Sequence, residues 1–336
     1  MFNRRNAAST ALVVLIATGL AGCSGSDGDT ATAQPESTDA TASDDAATGE
    51  FTLLSYNVAG LPVEISSVRP DLHIPLISPR LNVYDVVATQ EDFDWWSGFA
   101  GQLDFVNYHD RLRAETNHTF RTDAHPGPAA VGLDLTKRME PLVGDGLGVI
   151  SRFALENTVR VPWTSCFGGL DTSDEGAADC ASMKGFLLTD LTLPNGSSVH
   201  LYNLHGEAGS SVRDQELQVD NYRQLAEYIA AHSAGAAVIV AGDTNLHTHS
   251  DHRDASDGAD TEIWTAFLEA TGLVDACDAT RCEQPDAIDK VAVRSGNVAL
   301  EVTDHAFVSD EFLDETGENL SDHPPLAVTI RWSPVR

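Results

Sequence analysis

The sequence predicts an α/β fold in which two packed, mixed β-sheets are flanked by helices. Strand-like and helix-like segments alternate along residues 51–336. Residues 186–193 and 199–204 predict an antiparallel hairpin, because Asn195-Gly196 is the preferred kind of tight turn between two strands. Hairpins mixed with helices are typical of two sheets packed face to face with helices outside. With no internal repeat and no second linker, residues 51–336 are expected to form one domain.

The spacing of apolar residues predicts the individual elements. In chain order, the predicted strands cover residues 51–58, 83–89, 147–151, 186–193, 199–204, 238–241, 290–294 and 326–330. Helices are predicted over residues 213–231 and 262–270, the first because Leu217, Tyr222 and Leu225 share one helical face. The proline-rich stretch between the first two strands predicts a loop.

The first 50 residues predict an exported chain. Arg4 and Arg5 precede an apolar run that is too short to span a bilayer. The run ends in Leu20-Ala21-Gly22-Cys23, which resembles the lipobox of bacterial lipoproteins and implies cleavage before Cys23 and lipidation of its sulfur. Ordinary secretion is the alternative. Residues 24–50 lack large apolar side chains, so we expect a disordered acidic tether that holds a monomeric body at the cell surface or is released with it.

Cysteine usage agrees with export. Besides Cys23 the chain has four cysteines, and their spacing favours two local disulfides, Cys166–Cys180 and Cys277–Cys282. Four cysteines allow three connectivities, and a zinc site is the competing interpretation. Neither pair has metal-ligand spacing with histidines nearby, so disulfides are favoured.

The chain is strongly acidic, with a formal net charge of −31. The export segment contains two arginines and the tether seven carboxylates, so residues 51–336 carry −26. There are only three lysines, Lys137, Lys184 and Lys290. A negative field repels polyanions, which disfavours a broad nucleic-acid groove. A solubility adaptation to a salty habitat is the alternative, since salt would screen that repulsion.

Hydrophilic residues cluster where the predicted strands end. They are Asn57, Glu91, His205, Asp243, Asn245, Asp289, Asp322 and His323. Each alone is compatible with a cap or a turn. Asp243 and Asn245 follow the buried strand over residues 238–241, and alternation along an extended chain would put both side chains on one side. Because large α/β sheets place their chemistry at one edge, the whole set predicts an active site there.

Six stretches carry a family resemblance in fixed order: SYNVAGLP, ATQE, YNLHGE, VIVAGDTN, IDKVAV and LSDHPPLAV. Together they resemble the endonuclease/exonuclease/phosphatase superfamily, whose members include deoxyribonuclease I and neutral sphingomyelinases. The resemblance covers residues 51–336 and implies a four-layered α/β sandwich. It also implies hydrolysis of phosphate esters with Mg²⁺ or a similar hard ion, Mn²⁺ or Ca²⁺.

The resemblance assigns a role to each hydrophilic residue. Asn57 and Glu91 match metal-binding positions, and their oxygen atoms suit Mg²⁺; Asp322 matches a position near the metal. His323 matches the general base that activates the attacking water.

The remaining roles surround that base. Asp289 matches the carboxylate that orients the His323 imidazole. His205 matches the histidine that contacts the phosphate or assists the leaving group. Asp243 and Asn245 match the pair that orients water and phosphate.

Substrate choice depends on fewer residues. Residues 176–186 resemble the DxxxxKG segment of neutral sphingomyelinases, which places Lys184 near the substrate phosphate; an exposed loop charge is the alternative. This segment, the acidic body and the lipid anchor favour a phospholipid headgroup over DNA. Lys290 stands where the family often has an aromatic residue and points weakly towards a nuclease. Trp95 and Trp96 are either core residues or a membrane contact.

Three functions therefore stay open. The first is a secreted phosphodiesterase acting on sphingomyelin or a related phospholipid. The second is a surface nuclease or phosphomonoesterase that scavenges phosphate. The third is a binding lipoprotein without catalysis, which is disfavoured because every matched chemical position is retained. His247, His249 and His252 have no zinc-site spacing and predict a solvated loop.

Overall fold

The structure, a computed structural model, describes residues 48–61, 63, 66–94, 108–169, 179–209, 211–248 and 259–335. The predicted export segment with Cys23, most of the tether, and Trp95 and Trp96 lie outside the described residues. Among the described residues, no helix combines the length and the hydropathy that a bilayer crossing requires.

The described residues form two six-stranded sheets. In chain order the strands are β1 (Gly49–Asn57), β2 (Val86–Gln90), β3 (Phe120–Arg121), β4 (Gly148–Ser151), β5 (Ala154–Pro162), β6 (Gly185–Thr192), β7 (Ser198–His205), β8 (Ala237–Asp243), β9 (Val274–Asp275), β10 (Asp289–Arg294), β11 (Val298–Phe307) and β12 (Leu326–Pro334). The helices are α1 (Pro70–Arg80), α2 (Tyr108–Arg113), α3 (Val212–His232), α4 (Asp260–Thr271) and α5 (Ala276–Thr280).

Each sheet has one parallel pair near its centre. The first sheet has the order β11-β12-β1-β2-β4-β3, and the second has the order β5-β6-β7-β8-β10-β9. Strands β1 and β2 are parallel, as are β7 and β8, whereas the other neighbouring strands are antiparallel. The two parallel pairs bring four strand ends to one edge of the molecule, where a site can form.

The apolar core has three layers, one between the sheets and one on each outer face. Along β8, Ile239 and Ala241 pack between the sheets, while Val238 and Val240 pack under α3 and α4. A strand buried on both faces reads as a continuous apolar run, which is why this segment could be predicted. Helices α1 and α2 cover the outer face of the first sheet. The predicted sandwich of two mixed sheets between helices is confirmed.

Several local predictions are also confirmed. Strands β6 and β7 form the predicted hairpin, with Gly196 at φ 82° in the turn. Both disulfides join the predicted partners, Cys166 with Cys180 and Cys277 with Cys282.

The prediction of a loop before β2 is wrong. The segment contains α1, and Pro70 occupies the start of that helix, where a missing N–H costs nothing. Pro75 and Pro79 also lie inside the helix, but Ile74 and Ile77 are fully buried against the first sheet. Tertiary burial of that apolar face outweighs the low helix propensity of proline.

The end of β8 also differs from the prediction. The strand continues through Gly242 and Asp243 instead of ending at Ala241. Gly242 has φ 149° and pairs with Leu204 of β7, whose carbonyl oxygen would collide with a Cβ atom. The glycine therefore permits close strand pairing, and the chain turns later, at Asn245 with φ 52°.

Candidate active site

Hydrophilic side chains from both sheets meet at the edge where β1, β2, β7 and β8 end. Asn57 is the last residue of β1, and His205 and Asp243 are the last residues of the neighbouring strands β7 and β8. Asp289 begins β10 and lies opposite Asp243 in the antiparallel pairing of these strands. His323 precedes β12, whose first residues pair with the end of β1.

Asn57 connects the two sheets. Its Nδ2 donates hydrogen bonds to Glu91 Oε1 at 3.2 Å and to Asp243 Oδ2 at 3.0 Å. Its Oδ1 accepts a hydrogen bond from the backbone N–H of Ala59 at 3.0 Å. Two carboxylates of like charge therefore converge on one amide group, although Asn57 and Asp243 are 186 residues apart in sequence. Two carboxylates this close together repel each other, so both stay ionised only when positive charge lies nearby.

His323 and Asp289 form a hydrogen-bonded pair beside Asp243. His323 Nδ1 lies 2.8 Å from Asp289 Oδ2, and His323 Nε2 lies 3.7 Å from Asp243 Oδ2. Ser321, which the sequence analysis did not single out, orders this loop: its hydroxyl donates to the backbone oxygen of Asn57 at 2.7 Å and accepts from the His323 N–H at 3.2 Å. The arrangement leaves Nε2 as the nitrogen that can exchange a proton with a water molecule.

His205 also lies beside Asp243. Its Nε2 lies 3.3 Å from Asp243 Oδ2, and its side chain is almost completely buried. The indole N–H of Trp163 donates to the backbone oxygen of His205 at 2.8 Å, which ties the end of β7 to the loop before β6. Among the described residues, His205 Nδ1 has no hydrogen-bond partner.

Burial and neighbouring charges determine the protonation states of Asp243, His323 and Asp289. Burial alone would raise the pKa of Asp243, but His323 and His205 hold that pKa well below its usual value. Burial opposes the charged form of His323, but Asp243 and Asp289 outweigh it and raise the pKa of His323 to about 10. Burial also raises the pKa of Asp289. The imidazolium form of His323 is thus favoured near neutral pH unless another cation compensates the carboxylates.

The donor atoms fit a hard divalent cation. Glu91 and Asp243 direct carboxylate oxygens at the Asn57 side-chain nitrogen, and carboxylates are the ligands that Mg²⁺ and Ca²⁺ select. Asn57 Oδ1 accepts from Ala59, so it would become a ligand only after the amide turned over. Asp243, Asp289 and His323 form a second group whose ligand atoms lie within 4.8 Å of one another. An ion held there by His323 would either occupy Nε2 or displace the hydrogen bond between Nδ1 and Asp289, and the imidazole could then not act as a base for water. The group around Glu91 is therefore the better candidate.

Two predicted residues make contacts other than the expected ones. Asp322 is exposed, and its carboxylate accepts a hydrogen bond from Ser67 at 2.5 Å, so no described contact links it to Glu91, Asp243 or Asn57. Asn245 does not share an extended strand with Asp243. Its backbone N–H donates to Asp243 Oδ1 at 3.0 Å, and its side-chain Nδ2 donates to the Gly206 oxygen at 3.2 Å.

The backbone at this edge is strained. Ala59, Glu91 and Asn245 have φ values of 49°, 52° and 52°, in the left-handed region that L-residues rarely adopt. Each such residue costs on the order of 1–3 kcal/mol and persists only where its surroundings hold it. The N–H of Gly60 donates to the Glu91 oxygen at 3.1 Å, which is one of those restraints. Strain of this kind concentrates at functional sites.

Lys184 lies beside the site but is not exposed. Its ammonium group is buried and ion-paired with Asp179, whose other oxygen accepts from the Ala208 N–H at 2.7 Å. Burial alone would lower the pKa of Lys184, but Asp179, Asp243 and Glu207 outweigh it and raise that pKa. The alternative of an exposed loop charge is therefore wrong. Contact between Lys184 and a substrate phosphate stays a prediction. Such a phosphate would have to compete with Asp179 for the ammonium group.

Glu207 is a buried carboxyl group that the sequence analysis missed, although it belongs to the stretch YNLHGE. Its Oε1 accepts from the Phe167 N–H at 2.7 Å, and its Oε2 has no hydrogen-bond partner among the described residues. Burial, with a contribution from Asp179, raises the pKa of Glu207 to about 8, while Lys184 opposes the rise. The motif alone could not reveal this burial.

The histidine-rich loop is described only in part. His247 is exposed and donates its backbone N–H to Asp260 at 2.9 Å, in agreement with a solvated loop. His249 and His252 lie outside the described residues.

Comparisons with known proteins show the family and the fold of this chain. A sequence profile of the Endonuclease/Exonuclease/phosphatase family matches residues 54–323. The sphingomyelinases of Mycobacterium tuberculosis and Mycobacterium bovis are 31% identical to this chain over 307 residues, which cover 86% of this chain and 54% of theirs. The chain thus spans about half the length of the curated relatives it matches.

Two solved structures share the fold. Sphingomyelinase C from Streptomyces griseocarneus superposes with a TM-score of 0.55 at 18% identity, covering 84% of this chain and 99% of its own. A double mutant of the β toxin from Staphylococcus aureus with bound magnesium ions superposes with a TM-score of 0.56 at 16% identity, covering 83% and 99%. At these identities the likeness shows the fold alone. Because the family profile spans well over half of the sequence, the chain belongs to the endonuclease/exonuclease/phosphatase family.

Proposed function

We propose that this protein is a metal-dependent phosphoric ester hydrolase that cleaves a phospholipid headgroup as a phosphodiesterase. The observation that carries the proposal is the meeting of two groups at one sheet edge. One is the pair of carboxylates, Glu91 and Asp243, that converge on the Asn57 amide, and the other is the hydrogen-bonded pair of His323 and Asp289. Phosphoryl transfer requires mainly positioning and charge neutralisation, for which this equipment is sufficient.

The protein's own residues would divide the proton transfers. His323 Nε2 accepts the proton of the attacking water, while Asp289 holds the Nδ1 proton and stabilises the imidazolium that forms. His205, whose Nε2 lies 3.3 Å from Asp243 Oδ2, would contact the phosphate or assist the leaving group. Lys184 supplies positive charge nearby once a phosphate exchanges with Asp179.

The proposed cofactor is Mg²⁺, with Mn²⁺ and Ca²⁺ as the alternatives. Glu91 and Asp243 would hold it through carboxylate oxygens, and Asn57 would join them once its amide turned to present Oδ1 in place of Nδ2. When bound, a divalent cation supplies positive charge that stabilises the charge developing on the phosphate oxygens. We retain Asp322 as a candidate that acts only if its carboxylate leaves Ser67.

Two observations support a lipid over a nucleic acid as the substrate. The relatives with 31% identity are named sphingomyelinases. The body carries −26, which opposes binding of a polyanion but not of a zwitterionic headgroup. With the lipidated Cys23 and the tether of residues 24–50, the proposed enzyme works at the cell surface as an exported monomer.

One parallel assay tests the proposal. Full-length protein is given sphingomyelin vesicles, phosphatidylcholine vesicles and plasmid DNA, each with Mg²⁺ and with a chelator, beside the variant His323→Ala. We expect release of phosphocholine with Mg²⁺ and none with chelator or with the variant, because the variant lacks the base. Nicking of DNA without release of phosphocholine would favour the nuclease instead. Absence of turnover on every substrate would favour the binding lipoprotein.

A further inference from the structure

The side chain of Lys290 lies on the opposite face of β10 from that of Asp289. Strand β10 alternates its side chains between the sheet faces: Val291 packs between the two sheets, and Ala292 packs on the outer face under α3 and α4. Asp289 therefore points towards His323 on the inner side, whereas Lys290 points to the outer side. The alternation therefore directs the Lys290 side chain away from the candidate active site.

The Lys290 ammonium group is buried and holds one short backbone segment. Its Nζ donates to the Ala287 oxygen at 2.6 Å, to Thr248 Oγ1 at 2.9 Å and to the Pro285 oxygen at 3.4 Å. The Thr248 hydroxyl in turn donates to the Pro285 oxygen at 2.8 Å. All three ammonium hydrogens thus have acceptors, and two of these are backbone oxygens just ahead of Asp289.

A buried ammonium group of this kind is costly. Lys290 is 6% exposed, and no carboxylate forms an ion pair with it among the described residues. Burial is the largest influence on the pKa of Lys290 and lowers it, although Asp275, Asp289 and Asp286 oppose that effect. An apolar side chain of similar length would avoid the desolvation but would leave the backbone oxygens of Pro285 and Ala287 without this donor.

The segment that Lys290 holds is coupled to the end of β8. The Ile288 oxygen accepts from the Thr244 N–H at 2.9 Å and from the Thr244 hydroxyl at 2.6 Å. Residues 283–286 are exposed, so apolar packing does little to place them. The ammonium group on one side and Thr244 on the other restrain the chain that enters β10. Asp289, the first residue after this segment, depends on both restraints for its position.

We propose that Lys290 is a positioning residue that holds residues 285–288 and thereby aligns Asp289 with the His323 imidazole. The proposal rests on the proposed function for its effect on catalysis, but the alignment itself is a property of the folded chain. Lys290 touches neither substrate nor reacting atoms. Its loss should change the rate of the chemical step more than substrate binding, because Asp289 and His323 act in the transition state.

The first test is Lys290→Met, which keeps the length of the side chain and removes its charge. We expect kcat on the active vesicle substrate to fall by about 10-fold or more with KM changed by less than about 3-fold, since small misplacements of catalytic groups are costly. Histidine labelled with ¹⁵N in its ring reports the geometry without activity. The Nδ1 proton of His323, assigned by its absence in His323→Ala, should shift or disappear in Lys290→Met.

Matched variants complete the test. Lys137→Met removes an exposed lysine that pairs with Asp134 on the surface and should leave kcat and the His323 signal as in the parent. Thr248→Val removes one acceptor of the Lys290 Nζ hydrogen bonds. It should change kcat and the His323 signal in the same direction as Lys290→Met, but by less. If Lys290→Met does not fold, Thr248→Val provides the test. If folded Lys290→Met keeps the kcat and the His323 signal of the parent, the proposal is overturned, even if the melting temperature of the variant falls. The same result with Thr248→Val overturns the proposal if Lys290→Met does not fold. An inactive parent with a shifted His323 signal in Lys290→Met contradicts the proposed function alone.

Discussion

At the scale of single residues, Asp243 is the centre of the site. Its Oδ2 lies within 3.0 Å of Asn57 Nδ2, 3.3 Å of His205 Nε2 and 3.7 Å of His323 Nε2, and its Oδ1 accepts from the Asn245 N–H. A buried carboxylate is stable only when charges and hydrogen bonds surround it in this way. The same surroundings keep it ionised, so it can balance a cation, an imidazolium or both.

The hydrogen bond between Asp289 and His323 leads to a prediction about catalysis. In Asp289→Asn, the amide can donate to Nδ1 and move the imidazole proton to Nε2, which is the wrong tautomer for a base. We expect kcat to fall by about 10²- to 10⁴-fold, the usual contribution of a positioned acid–base group. Turnover at saturating substrate measures it, with Asp304→Asn on exposed β11 as the control. Unchanged kcat in Asp289→Asn would show that Asp289 does not set the tautomer of His323 for catalysis.

At the scale of elements, glycines permit the parallel strands β7 and β8 to end side by side. Gly242 pairs with Leu204, and Gly206, just beyond β7, lies against the backbone of Thr244. A Cβ atom on either glycine would collide with a backbone oxygen of the other strand or its extension. The close approach brings His205 and Asp243 into contact, so the glycines serve the site as well as the sheet.

This packing predicts that Gly242→Ala is destabilising. The new Cβ meets the Leu204 oxygen, and φ 149° is unfavourable for alanine, so unfolding should become easier by about 2–4 kcal/mol. Gly235→Ala is the matched control, because Gly235 has φ 75° but nothing lies near its Cβ position. Urea unfolding of both variants measures the difference. Equal losses would show that backbone strain alone, without the collision, explains the effect.

At the scale of the whole molecule, buried carboxyl groups couple stability to pH. Burial is the main cause that raises the pKa of Glu207 in the folded chain to about 8, from an ordinary value of 4.5. Between these two values the folded state keeps a proton that the unfolded state has lost. The contribution of Glu207 to the free energy of unfolding therefore falls as the pH rises from 4.5 to about 8.

Glu207→Gln removes the titration while retaining an acceptor for the Phe167 N–H. The stability of the variant relative to the parent should rise by at least about 1 kcal/mol between about pH 5 and about pH 8, since one pKa unit corresponds to about 1.4 kcal/mol. Urea unfolding at both pH values measures this in the presence of a chelator. Glu216→Gln, on an exposed part of α3, is the control. If the stability of Glu207→Gln relative to the parent fell as the pH rose, the raised pKa of Glu207 would be contradicted.

Sequence patterns predicted the sandwich because its signals are local. The apolar run of β8, the turn at Asn195-Gly196 and the helical stripe of α3 each identify their element without reference to the rest of the chain. The exposed stretch of β5 and the charged β11 lack such a signal and were not predicted. Helix α1 was missed because prolines argue against a helix, whereas burial of its apolar face decides the outcome.

By itself, the sequence indicated which hydrophilic side chains lie near strand ends and favoured the observed cysteine pairs, because both follow from spacing along the chain. Only the tertiary structure decided which of these groups touch. Contact between Asn57 and Asp243 requires two sheets to pack. Ion pairing of Lys184 and the outward direction of Lys290 depend on burial and on strand register. Contacts between distant residues are set by packing, and no local pattern contains them.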